Sequence, residues 1–148
     1  ISNITEKALG SIIKSGTTQI VDVLEPGQRA EKKGLIFAAT PASDFICGTL
    51  QMASGVTVQI FTTGRGTPYG LKMIPVIKVS SNSRLAKMWP DLIDIDAGEI
   101  LKYNESIESV GIKIFDYLIK VASREEITAA DKAGIENAIC LFDPNPVT

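Results

Sequence analysis

Between Val56 and Ser81 the chain reads VTVQIFTTGRGTPYGLKMIPVIKVSS, two short apolar β-branched runs separated by a stretch with three glycines, one arginine and one proline. Glycine and proline are the poorest helix formers, so no helix propagates through this segment. Apolar runs bounded by turn residues predict buried strands through Val58, Ile60 and Phe61 and again over Pro75 to Val79. The intervening loop, Thr62 to Gly70, then leaves the end of a central strand. In α/β sheets ligands bind outside the carboxyl ends of the strands, which makes this loop the first place to look for a site.

The flanking sequence supports the α/β class. Asn3 followed by Glu6 resembles a capping box, and Ala8, Leu9, Ile12 and Ile13 recur at helical spacing until Gly16. Gln19 to Leu24 alternates as a strand does and stops at Glu25-Pro26-Gly27. Arg29 to Lys33 carries charges of both signs and predicts a solvated connector. Gly34 to Thr40 is a continuous apolar run of the kind buried on both faces. A helix capped by Thr40 or Ser43 follows, with Phe45, Ile46, Thr49, Leu50 and Ala53 as its apolar stripe and Gly55 as its stop. Strand, helix and strand in this order predict a parallel βαβ unit. Ser80 to Ser83 caps a short helix ending before Pro90, and Asp91 to Gly98 predicts a brief edge strand or loop. The clearest helix is capped by Asn104 or Ser106 and carries Ile107, Val110, Ile114, Phe115, Leu118, Val121 and Ala122 at a 3.6-residue period. One helical turn is expected near Thr128, and a last strand over Ala138 to Asp143.

Composition bounds the function. The 148 residues amount to about one domain, and the first residue, Ile1, enters a helical pattern directly, as a piece of a longer chain would. A net charge of −2 provides no electrostatic footprint for nucleic acid or an anionic membrane. No apolar run approaches the roughly 18 residues that span a bilayer, and no signal peptide opens the chain, so a cytoplasmic protein is expected. Histidine is absent, which excludes Ser-His and Cys-His nucleophiles and His-ligated zinc within these residues. The two cysteines, Cys47 and Cys140, each sit in apolar surroundings and predict buried free thiols rather than a disulfide or a metal pair.

Three groups could carry chemistry. In the loop, Gly64, Gly66 and Gly70 free backbone N–H groups to line a concavity, and Arg65 offers a planar fork suited to a carboxylate or phosphate. Thr62, Thr63 and Thr67 add hydroxyls; the alternative is a tight turn with a solvated arginine. The glycine spacing is neither a dinucleotide fingerprint nor a phosphate-binding Walker loop, for which the terminal Gly-Lys-Ser/Thr is missing. Asp44, Asp91, Asp94 and Asp96 are oxygen donors of the type hard cations use, or else turn formers and caps. Lys78 interrupts an apolar strand, either snorkelling to water from an edge or meeting an anion near the strand end.

These same residues carry a family resemblance. FTTGRGTPYG, the following P-x-IKV-x-x-N and DxIDxDAG together resemble the C-terminal region of the altronate/galactarate dehydratases. The likeness extends through Gly34-Leu35 and Thr40 to Asp44, and reaches the ending NAICLFDPNPVT. It implies a Rossmann-like, three-layer α/β domain with a mainly parallel sheet, residues 1–148 forming one C-terminal portion of a multidomain hydro-lyase. Such an enzyme dehydrates a galactarate- or altronate-like sugar acid to a keto-deoxy acid with Fe²⁺ or Mn²⁺, and some relatives act on sulfonated substrates. The resemblance assigns Thr62, Thr63, Gly64, Arg65, Gly66, Thr67, Lys78 and Asn82 to substrate carboxylate binding and makes Asp44 and Asp96 weak metal candidates. Asp96 stands where the family pattern expects asparagine. No general base is assigned, the remaining polypeptide is the expected partner, and a homodimer is left open. Inactivity of these residues alone is expected; the competing reading is a non-catalytic module for a small anion.

Overall fold

The computed structural model describes residues 3–140 and 143. Its strands fall into two parallel groups. In the first, β1 (Ile20–Leu24) pairs with β2 (Leu35–Ala38); in the second, β4 (Val76–Ser80) lies between β3 (Gln59–Thr63) and β5 (Ile95–Asp96). The helices are α1 (Ile4–Lys14), α2 (Asp44–Ala53), α3 (Ser83–Met88), α4 (Ile107–Ala122) and α5 (Ala129–Lys132), with a 3-10 turn over Gly98–Lys102. This is the expected α/β class with parallel strands. Among the described residues no helix is long and apolar enough to cross a membrane.

The helix starts follow local chemistry. Asn3 accepts from the Glu6 N–H, Asn82 from that of Arg84, Ser106 from that of Ser109 and Thr128 from that of Asp131, at 3.0–3.2 Å. Each bond satisfies a donor that the first turn otherwise leaves open. Ser43 holds the N-cap position of α2 without a side-chain bond.

The sheet order corrects the expectation of a central loop-bearing strand. Among the described residues β4 is central and buried along its whole length, whereas β3 is an edge that leaves Ile60 40% exposed. The predicted β2–α2–β3 unit does not form one sheet: β2 pairs with β1, and β3 pairs with β4. Nor is β2 covered on both faces, since Phe37 is 53% exposed. Apolar composition alone does not say what lies on either side of a strand. The α4 stripe is likewise narrower than its period suggests, with Val110 and Val121 buried while Ile107, Phe115 and Ala122 are exposed. Ala138 to Cys140 form no strand, and Leu141 and Phe142 lie outside the described residues.

Two apolar layers sandwich β4. Ile77 and Val79 pack with Val121, joined by Ile114, Tyr117 and Leu118 of α4. Val76, on the opposite face, packs with Tyr69, Leu71 and Ile74. Strand alternation puts Lys78 and Ser80 on the face of Val76. The Tyr69 hydroxyl donates to Gln59 Oε1 at 3.0 Å, and its ring lies so close to α2 that a Cβ on Gly48 would sit 1.5 Å from the phenol oxygen. Burial, reinforced by Cys47, pushes the Tyr69 hydroxyl up to about 12.

Asp94 ties the layers together. One carboxylate oxygen accepts from the Lys78 N–H at 2.7 Å; the other accepts from the Tyr117 hydroxyl at 2.9 Å and the Ala129 N–H at 2.7 Å. Burial, then Asp94, raises the Tyr117 hydroxyl well above its ordinary value.

Candidate functional site

Parallel pairing brings three strand ends level: Thr63 registers with Ser80, and Ser80 with Asp96. The residues that follow, Gly64 from β3, Ser81 to Ser83 from β4 and Gly98 from β5, line a cavity of about 470 Å³ together with Arg84, Leu101 and Lys102. That volume lies within the roughly 300–1,000 Å³ of small-molecule sites. The walls are fixed by short polar bonds. Ser80 Oγ donates to the Asn82 carbonyl and accepts from the Asn82 N–H, at 3.0 and 3.1 Å. Asp96 Oδ1 accepts from Ser83 Oγ at 3.0 Å and from the Gly98 N–H at 2.8 Å.

The glycine-rich loop is built as a series of turns on this rim. Thr63 Oγ1 accepts from the Gly66 N–H at 2.9 Å. Gly66 has φ +86°, and a Cβ there would come within 2.4 Å of the Trp89 ring, so conformation and contact both require glycine. Farther along, Thr67 Oγ1 donates to Asp44 Oδ2 at 3.3 Å and accepts from the Tyr69 N–H. Gly70 exchanges two bonds with Asn137, which lashes the loop's exit to the later chain. Arg65 is exposed and its guanidinium makes no hydrogen bond or ion pair among the described residues.

Lys78 is the electrostatic anomaly. It has no accessible surface, and among the described residues its Nζ has no hydrogen-bond partner. Desolvation lowers its affinity for a proton, with Asp94 pulling weakly the other way. Neither alternative read from the sequence, an edge lysine in water or a lysine at the strand mouth, describes it: it lies inside the central strand. On the cavity lining one cation is matched. Lys102 bonds Glu99 at 2.7 Å, and Lys102, then Asn104 and Ser83, hold the Glu99 carboxyl down at about 2.

The structure therefore brings Gly64 and Asn82 to one cavity and joins Thr67 to Asp44, while Arg65 is exposed without a side-chain partner among the described residues and Lys78 lies beneath the surface. Asp44 and Asp96 stay apart in their bonding: one serves the loop and the other holds the start of α3 and Gly98. Among the described residues no three Asp, Glu, Cys or His side chains cluster as a metal would need, so these residues do not fit a divalent ion by themselves. A larger cavity, about 680 Å³, opens beside Pro90, Asp94, Tyr117 and Lys132, away from every predicted substrate residue. Ser81, Ser83, Arg84, Gly98 and Lys102 line the strand-end cavity but were not singled out from sequence. The strand-end rule, applied to β4 and β5 as well as to β3, points to them.

Comparison with known proteins places this arrangement in context. The family model described as D-galactarate/Altronate dehydratase, C-terminal, matches residues 1–147. The chain is 57% identical over 148 residues to a galactarate dehydratase (L-threo-forming) of Escherichia coli strain K12, covering all of this chain and 28% of that protein. It is 37% identical over 123 residues to an altronate dehydratase of Bacillus subtilis strain 168, covering 83% of this chain and 24% of the relative. A (2R)-sulfolactate sulfo-lyase subunit beta of Chromohalobacter salexigens is 31% identical over 130 residues, covering 87% of this chain and 33% of the relative. The chain thus spans about a quarter to a third of the length of these relatives.

Proposed function

Because the chain belongs to the D-galactarate/altronate dehydratase family as its C-terminal part, we propose that it supplies the carboxylate-binding half of a sugar-acid hydro-lyase. The whole polypeptide removes water from a galactarate- or altronate-like acid to give a keto-deoxy acid. The supporting observation is the convergence of Gly64 and Asn82 on one cavity at the carboxyl ends of β3 and β4, with the unpaired Arg65 next in the loop.

Loss of the proton α to a carboxylate drives charge onto the carboxylate oxygens. Fixed donors aimed at those oxygens stabilise that charge more than the ground state. Arg65 provides a two-pronged cationic donor. Asn82 has its Oδ1 engaged by the Arg84 N–H, which leaves its amide NH₂ as a donor toward the cavity rim. Thr62 and Thr63 end the strand from which the loop departs. Lys78 is assigned an electrostatic role from below the loop, its uncompensated desolvation relieved when an anion binds above it. The divalent metal and the general base are assigned to the rest of the polypeptide, and no step is routed here through either.

The test is Arg65→Ala in the full-length enzyme. Transition-state stabilisation should fall by about 2–5 kcal/mol, the loss for truncating one partner of a desolvated charge pair. An unchanged kcat/KM for the sugar acid would remove Arg65 from the site.

A further inference from the structure

One arginine lines the strand-end cavity, and a second adjoins its Gly64 wall in the chain. Arg65 follows Gly64 on the β3 side; Arg84 lines the cavity from α3, which leaves the central strand. Neither guanidinium has a hydrogen bond or ion pair among the described residues. Lys102, on the same lining, differs: its ammonium is held by Glu99 at 2.7 Å and its charge is already matched. Arg84 is also well placed in its backbone. Its N–H is fixed to Asn82 Oδ1 at 3.0 Å, and the preceding Ser83 is clamped by Asp96 and by Gly98, where a Cβ would come within 2.4 Å of the Ser83 nitrogen.

One carboxylate satisfies one arginine fork. Two forks without partners among the described residues, one lining the cavity and one next in the chain to its Gly64 wall, match a short molecule with an anionic group at each end. We propose that Arg84 is a specificity-determining residue that binds the second carboxylate of a six-carbon sugar diacid and so favours diacids over mono-acids. This rests on the reading of the cavity as the substrate carboxylate site. A mono-acid presents a hydroxymethyl group at that end and leaves the arginine without its anion, which is how a site built for a charged group discriminates.

Galactarate and galactonate make the probe pair, because they share carbon stereochemistry and differ only in the terminal carboxylate. Binding of each to the full-length protein is measured by calorimetry for wild type, Arg84→Gln, Arg84→Lys and Arg65→Ala. Arg84 is exposed and unpaired, so its replacement leaves the fold intact, which the thermal midpoint checks. Arg84→Gln should weaken galactarate by about 10- to 100-fold and galactonate by less than about threefold, with Arg84→Lys recovering part of the loss. Equal weakening of both acids, or no change in either, overturns the assignment of Arg84. Arg65→Ala should weaken both acids; if it changes neither, the carboxylate-loop reading itself fails, whatever Arg84 does.

Discussion

β1 and β4 are both five-residue parallel strands of similar composition, IVDVL and VIKVS, yet one is largely open and the other closed. In β1 only Leu24 is buried, and Val23 is 65% exposed; in β4 every residue is buried, a lysine included. The difference lies in the neighbours. β4 has a strand on each side, the Tyr69 layer over one face and α4 over the other. Among the described residues β1 has only β2 beside it, and α1 exposes Ile4, Leu9, Ile12 and Ile13. Residue type permits burial, but the layers packed around a strand decide it. The loops that line the strand-end cavity therefore leave the closed sheet, where a fixed geometry can be maintained.

The sharpest test of this contrast is Ile77→Ala. Ile77 has no exposed surface and belongs to the cluster with Val79 and Val121. Truncating a buried isoleucine removes transfer energy and leaves a cavity, a loss of about 2–5 kcal/mol. The shift in urea midpoint measures it, and Trp89, which packs on Gly66, reports by fluorescence whether the loop loosens in the same transition. A loss under about 1 kcal/mol would mean that β4 is not the centre of the core.

Lys78→Met probes the same strand with the opposite sign. The wild-type side chain forfeits hydration without gaining a partner among the described residues, so the methionine should be more stable by about 1–3 kcal/mol. The sign of its pH dependence follows from burial. The folded-state pKa lies below the ordinary 10.5, so between the two values the unfolded chain binds more protons and stability rises with pH. Below the folded-state value the penalty is present in full. Methionine should abolish that alkaline rise; urea midpoints taken across the alkaline range would show whether it does. A less stable variant would show that Nζ has a partner in solution.

What the sequence revealed divides along the same line. Helix starts at Asn3, within Ser80 to Ser83, at Asn104 or Ser106 and near Thr128 are legible because each cap is a bond within a few residues. Even the single turn after Thr128 could be anticipated. Sheet order was not legible, because nothing local tells β2 to pair with β1 rather than with β3. For the same reason the run Leu35 to Ala38 looked as buried as Val76 to Val79. Gly48 is another silent position: in a helix it reads as a weak former, and only the fold shows that the Tyr69 hydroxyl occupies the space a side chain would need. In the site, the loop was visible from its glycines and arginine. Arg84 was not, since an arginine after a cap looks like any solvated helix residue until the strand ends are aligned.

The smallest predicted effect tests the contrast most directly, because it makes one substitution in both sheets. Val79→Thr puts a hydroxyl into the layer between β4 and α4, where the valine is 3% exposed, at a cost of about 1–3 kcal/mol for a buried polar group without a partner. Val23→Thr makes the same change at a position 65% exposed and should alter stability by no more than about 0.5 kcal/mol. Thermal or urea unfolding of the two variants side by side isolates surroundings from residue type. A Val23→Thr loss as large as that at Val79 would mean that β1 is covered in solution, and the distinction between an open and a closed strand would fail.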